Sequence, residues 1–504
     1  MKKQLRHRVF WPPFIFILAS AIYSLLDVDA FLVNATSAND WVLDTFSWAF
    51  SWCGFAFLLI VVITYFSKFG NVKIGGADAK PKLSKWRWFS ITLCTTIATG
   101  ILFWGTAEPL YHMHLPPQDL NIIPASPEAA RFAMSTMMMH WSFTPYGIYT
   151  LAALLFAIVY YNMNQPFSLS SMLYPIMGDK VHGVWGDIVN IICLYSLVAG
   201  MAASLGVGIL NISGGISSFF EIGSTSLLTI LIAFAIVITF ILSAASGLMR
   251  GIRLLSGWNI WVFVFIAVFM FVFGPTKEII ISGWQGISGY FQTFLFRSLD
   301  TGIGEPDRWT KSWTIFYWAN WLAWTPISAL FLGRLGLGYD VRTFIRFNLL
   351  YPSLFSMVWM SIFSGTSLYV DNLNGEQGLY TLLQDVGPEM VVFNMLEYIP
   401  FTDLLTIVFI VAAFISYVTA ADSNTSAMSG ISAVGITPDN PEAPIMIKVA
   451  WGSLIGIISW VLITYAGIDG IRMASNLGGL PALVIVILIG AGLVKILVKG
   501  DNLD

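Results

Sequence analysis

Tyr317, Trp318, Trp321 and Trp324, four large aromatic residues within eight positions, are the part of this chain best equipped for chemistry. They lie in TIFYWANWLAWTPISALFL, residues 314–332, a stretch long and apolar enough to cross a bilayer. On a helix Tyr317, Trp321 and Trp324 fall at i, i+4 and i+7 and share one face. Pro326 removes a backbone donor two residues beyond Trp324 and is expected to weaken the helix where that face ends. Aromatic faces carry negative charge density, and a desolvated cation–π contact is worth about 2 kcal/mol. A methylated ammonium, with its diffuse charge and apolar skin, suits such a face. Packing against neighbouring helices, or a seat at the membrane interface, is the other use of these rings; the clustering beside a proline favours a binding face.

Residues 140–150, HWSFTPYGIYT, supply a second set. Trp141 and Tyr149 lie eight apart, and Pro145 between them interrupts the hydrogen-bond ladder so that Tyr146 can turn toward the same cavity. With Trp321 they would make a box of four rings from two helices, ordinary aromatic packing being the alternative. The run SYVTAADSNTSAMSG, residues 416–430, places hydroxyls, an amide and Asp422 inside an apolar segment. Polar side chains at that depth are costly and serve ion or substrate paths, and hydroxyls with freed carbonyls are hard oxygen ligands suited to sodium. Asp422 can instead brace loops. Glu108 reads as structural, and His112 and His114 have no partner carboxylate or cysteine in a metal-binding pattern. No nucleophile–base pattern, phosphate loop or HExxH motif is present, so nothing points to an enzyme.

The elements that must hold these residues follow from composition. The 504 residues are 57% hydrophobic and 11% charged, with a mean hydropathy of +0.76, which makes this a polytopic all-α membrane protein. A net charge of -3 and the lack of a basic domain leave no site for nucleic acid. Cys53, Cys94 and Cys193 lie in apolar segments as buried thiols. Twelve spans are expected, near 10–27, 43–67, 87–107, 138–161, 185–211, 226–246, 257–275, 309–333, 344–370, 402–430, 446–467 and 477–498. The first is read as a retained helix, since it lacks a small-residue cleavage site. Lysine and arginine crowd the ends and loops of even parity, while the 28–40 and 371–401 loops have none, which places both termini in the cytoplasm. Residues 276–308 include an aromatic, amphipathic stretch interrupted by Gly283, Gly286 and Gly289, read as a helix on the outer membrane surface. It divides residues 87–275, five spans, from 309–504, five more; residues 1–86 hold two further helices. Two sets of five have opposite orientation, the arrangement of inverted-repeat transporters, whose substrate sits between interrupted first helices of each repeat. Those first helices are 87–107, with Gly100 and Gly105, and the tryptophan stretch itself.

FWGTAEP, HWSFTPYGIYT, ASLGVG, FYWANWLAWTP with FLGR, and TAADS occur in the order found in the betaine/choline/carnitine transporters, which the chain resembles along nearly its whole length. The resemblance implies a leucine-transporter-like five-plus-five core, alternating access, a homotrimer and no cofactor beyond a coupling ion. It implies that Trp141, Tyr146, Tyr149 and Trp321 form the central aromatic box and that Trp318 and Trp324 line the path to it. A sodium site would take carbonyls near Cys94 and Ile97 and the hydroxyl of Thr419. Departures from the pattern bear on the substrate. One glycine, Gly100, stands where betaine symporters have several, which leaves less room for a carboxylate at the backbone. Asn320 and Tyr146 replace tryptophans, and Ala420 replaces a serine of sodium-coupled members. Asn259 and Ser328 stand where sodium-independent exchangers have arginine and methionine. The expectation is an importer, in a bacterial inner membrane, of a quaternary ammonium or methylated amine with sodium: glycine betaine, choline, carnitine or trimethylamine in type. A sodium-independent exchanger and a ligand-gated channel are the rivals. The stretches MKKQLRHR and VKGDNLD carry few cationic side chains, so uptake is expected to change little with osmolality.

Overall fold

The structure is a computed structural model that describes residues 4–96, 100–223, 225–246, 249–373, 377–434 and 443–499. Nearly all of them are helical, because a backbone in lipid must pair its polar groups within its own segment. In order the long helices are α1 (His7–Leu26), α2 (Val28–Phe66), α3 (Lys85–Thr96), α4 (Gly100–His114), α5 (Pro127–Trp141), α6 (Phe143–Tyr161) and α7 (Val184–Phe220). Then come α8 (Ser226–Ser246), α9 (Met249–Phe273), α10 (Thr276–Leu299), α11 (Phe316–Gly333), α12 (Tyr351–Asp371), α13 (Thr402–Ile431) and α14 (Ile445–Lys499). Local chemistry marks several starts. The Asp27 carboxylate accepts from the Ala30 N–H and separates α1 from α2, while Ser126 caps α5 through the Ala129 N–H with Pro127 in the first turn.

Among the described residues seven helices are long and apolar enough to cross a membrane, or eight if a bent pair is one span. Twelve were expected. Part of the difference lies in α14, a 55-residue helix that breaks at Gly467 (φ 53°) and covers both of the last two expected spans. Two readings of helix interruption need correction. Gly283, Gly286 and Gly289 do not break α10, which is continuous and turns 110° from residues 259–273. They let it approach its neighbours: a Cβ on Gly283 would lie 2.5 Å from Ser361 Oγ of α12, and one on Gly286 2.9 Å from Met134 Cβ of α5. Pro326 does not end α11 either. Thr325 donates to the Trp321 carbonyl at 2.9 Å beside it, and hydroxyls and packed neighbours make proline tolerable in such helices. The irregularity lies instead before α11, in a π-helical turn at Lys311–Ile315.

Loop contacts fall into two groups. One joins the β-pair of Gln4–Leu5 with Ala433–Val434, Arg6 with Asp187 at 2.7 Å, Asn162 with Gly75 at 3.0 Å and Arg342 with Asn71. The other joins Arg308 with Asp40, Lys311 with Asp44 at 2.8 Å, Gln118 with Asp307 at 2.9 Å and His114 with Asp371 at 2.7 Å. At the centre, α11 packs chiefly on α14 and α6. Small residues permit this: a Cβ on Gly479 of α14 would come within 2.6 Å of the Ala319 backbone.

Candidate functional site

The helix carrying the second aromatic set breaks at Ser142 (φ -127°, ψ -118°), between α5 and α6. Pro145 explains the position, since it cannot donate to the carbonyl of Trp141 and its ring crowds that carbonyl. The break separates the direction of Trp141 at the end of α5 from that of Tyr146 and Tyr149 on α6. All three nevertheless reach one ring of α11. Trp321 meets Tyr149 at 4.9 Å between centroids, Tyr146 at 5.4 Å and Trp141 at 5.9 Å, each edge-on. None of the four is more than 5% exposed. The Tyr149 hydroxyl lies near Ser328, two turns beyond Trp321 on α11. Trp321 Nε1 is buried with no hydrogen-bond partner among the described residues.

The other two rings expected at the site diverge. Trp324 is half-buried and lines a small cavity together with Met201, Ser204, Tyr417, Ala420 and Asn424. Gly200 faces it closely: a Cβ there would lie 3.2 Å from Ala323 Cβ and 3.3 Å from the Trp324 ring. Trp318 is fully buried on the opposite flank, against Gly54 of α2 and edge-on to His140 at 6.1 Å.

Gly100 opens α4 directly beneath Trp141, where an added Cβ would lie 2.6 Å from Trp141 Cη2. Gly100→Ala is therefore expected to push the indole from its seat and to cost about 1–3 kcal/mol, read as a lower melting temperature of purified protein. Unchanged melting would mean that the ring has slack.

A polar network unanticipated by the sequence reading lies behind the box. Glu108 of α4 is completely buried. Its Oε1 meets His112 Nε2 at 3.0 Å and His140 Nδ1 at 2.7 Å. Its Oε2 accepts from Trp141 Nε1 at 2.8 Å and from the Tyr317 hydroxyl. His140 Nε2 contacts Thr314 Oγ1 at 3.0 Å and its ring stacks on Tyr317. The ligand atoms of Glu108, His112 and His140 lie within 4.8 Å of one another. The expectation that His112 and His114 lack carboxylate partners is thus corrected. His112 has Glu108 at i−4, a helical spacing legible in the sequence, and His114 has Asp371, distant in sequence and legible only once folded. Beyond this network Trp313 takes the Arg472 guanidinium over its ring at 4.2 Å.

Of the residues expected at an ion site, Ile97 lies outside the described residues, and of Cys94 only its place in the α3 helix is described. Thr419 Oγ1 is buried without a hydrogen-bond partner among the described residues, as is Asn259 Oδ1. Asn259 Nδ2 donates to Ser416 Oγ at 2.6 Å, one turn from Thr419 on α13. Both unpartnered atoms are neutral oxygens of the kind an alkali cation accepts.

A family model described as betaine/carnitine/choline family transporter matches residues 8–502. The chain is 30% identical to an ectoine/hydroxyectoine transporter of Virgibacillus pantothenticus, over 97% of each. It is 28% identical to a glycine betaine transporter of Bacillus subtilis, over 97% of this chain and 94% of that one. With a high-affinity choline transport protein of Escherichia coli the identity is 29%, over 97% of this chain and 72% of that one.

Proposed function

Because the chain belongs to the betaine/carnitine/choline transporter family, whose members are transporters and not enzymes, we propose that it imports a small methylated ammonium compound by sodium-coupled symport. The observation that carries this reading is the convergence of Trp141, Tyr146 and Tyr149 on Trp321 in a buried cluster. Trimethylammonium groups bind to such faces because each desolvated ring contributes about 2 kcal/mol. The rings touch one another, so admitting the head group requires Trp321 or a tyrosine to swing aside, a rotation that couples binding to the shape of the pathway. Trp321 Nε1, a donor with no partner among the described residues, favours a substrate that brings an oxygen, such as choline or betaine, over trimethylamine. The cavity beside Trp324 is the route onward from the box, and Trp318 braces it from behind.

The same proposal takes twelve crossings, a five-plus-five inverted core, cytoplasmic termini in a bacterial inner membrane, and a homotrimer. The grouping of loop contacts supports that topology. Residues 4–6, 71–75, 162, 187, 342 and 433–434 all belong to even-parity ends, and residues 40–44, 114–118, 307–311 and 371 to odd-parity ones. Thr419 Oγ1 supports sodium as the coupling ion, by the chemistry of an unpartnered buried oxygen.

Proteoliposomes test the mechanism. Uptake of labelled choline or glycine betaine is expected to follow an inward sodium gradient and not a potassium one. Thr419→Ala is expected to raise the sodium concentration for half-maximal uptake several-fold, and by linkage substrate tightens sodium binding by the factor with which sodium tightens substrate. Full uptake into empty vesicles without sodium would refute coupling; uptake only into substrate-loaded vesicles would establish an exchanger.

A further inference from the structure

Glu108 is a buried carboxylate whose direct partners carry no formal positive charge. An indole N–H and a tyrosine hydroxyl donate to Oε2, and two imidazoles meet Oε1. An ionised carboxylate only accepts hydrogen bonds, and an indole only donates, so this set of partners fits the charged form. The imidazoles complete a neutral arrangement. Against a charged Glu108, a neutral His140 donates from Nδ1 and accepts at Nε2 from the Thr314 hydroxyl. His112 donates from Nε2, and its Nδ1 has no partner among the described residues. Among the described residues no arginine contacts Glu108: Arg297 donates to the hydroxyls of Ser135 and Thr136, and Arg472 pairs with Asp469 at 3.2 Å. A buried charge with no opposite charge in contact is expensive, and here it lies one hydrogen bond from Trp141 of the box.

Resting on the reading of the box as a methylated-ammonium site, we infer that Glu108 is the fixed counter-charge of the bound cation and the positioning residue of its aromatic wall. One oxygen serves the wall. By accepting from Trp141 Nε1 and Tyr317, Oε2 sets the angle of the indole face. The whole group supplies negative potential through a buried wall, where charges act over longer distances than in solvent. His140 and His112 hold the carboxylate without neutralising it, which keeps that potential available to the substrate. Glu108 thereby makes the site selective for charge as well as shape: a carbon isostere of the substrate gains the apolar contacts of the rings but not this attraction.

The test compares choline with its uncharged isostere 3,3-dimethylbutan-1-ol, by equilibrium binding to purified full-length protein at saturating sodium. The wild type is expected to prefer choline strongly. Glu108→Gln keeps the side-chain volume and removes the charge, and is expected to shrink that preference by on the order of tenfold. Glu108→Asp keeps the charge while disturbing the wall, so both affinities fall and their ratio stays within about twofold, given the small change in charge separation. A mere brace would move both ligands alike in both variants. An unchanged ratio in the Gln variant overturns the inference, as does a collapsed ratio in the Asp variant; should the Gln variant not fold, Glu108→Ser removes the charge in its place and is read by the same ratio. Stoichiometric zinc carried through purification and lost in Glu108→Gln would assign Glu108, His112 and His140 to a metal and also overturn it. A wild type that binds no methylated ammonium at all would instead remove the reading of the box on which this rests.

Discussion

Trp321→Ala is expected to weaken methylated-ammonium binding by about thirtyfold or more, the equivalent of one desolvated cation–π contact of about 2 kcal/mol. The expected loss is this large because Trp321 is the ring that the other three share: Trp141, Tyr146 and Tyr149 each meet it edge-on. Removing it deletes one face and also lets its neighbours relax into the space. Truncating a buried tryptophan costs about 3–5 kcal/mol of stability as well, so binding must be read on protein shown to be folded by its melting curve. Trp321→Phe keeps a π face and should retain part of the affinity. Combined loss of Trp141 and Trp321 should cost less than the two single losses together, because each variant already disrupts one cage. Wild-type affinity in Trp321→Ala would place the site elsewhere.

Gly479→Val is expected to be strongly damaging although it lies outside the box. A Cβ at Gly479 lies 2.6 Å from the Cα and carbonyl oxygen of Ala319, which are backbone atoms that no rotamer change can move aside. Valine adds two methyls to that clash, so α14 must separate from α11. Overpacking of this kind costs about 1–3 kcal/mol where side chains can yield and more where backbone must. Ala319 lies two residues from Trp321 on the same helix, so the displacement should also disturb the box. The measurement is the melting temperature in detergent, followed by substrate affinity at a temperature where the variant is folded. Gly378→Ala is the control, since a Cβ there meets no atom within 4 Å; its melting should match the wild type. Equal melting for Gly479→Val would show that the two helices do not pack as described.

Much of the site was legible because its signals are local. Tyr317, Trp321 and Trp324 share a helical face by spacing alone, and Pro145 marks a break by its missing donor; the break falls at Ser142, within the turn that proline disrupts. Proline and glycine misled where burial compensates for them. Pro326 lies inside a continuous α11 with Thr325 bonded beside it, and the glycines of α10 mark close approach to α5 and α12. A glycine reads the same in sequence whether it ends a helix or lets another helix touch it.

The sequence by itself determined the class of the molecule and the aromatic faces from which a cluster could be built. Apolar length demands helices wherever backbone meets lipid, and aromatic residues at i, i+4 and i+7 share a face whatever surrounds them. Tertiary structure decided which of those rings meet. Trp318 and Trp321 are three residues apart and equally aromatic, yet one packs on Gly54 of α2 and the other gathers Trp141, Tyr146 and Tyr149. It decided the role of Glu108 too, for a carboxylate in FWGTAEP acquires its meaning from His140, Trp141 and Tyr317, which only the packing of α4, α5 and α11 brings to it. Hydrogen bonds and ring contacts act over a few ångströms, and between residues 108 and 317 the chain sets no such distance until the helices have packed.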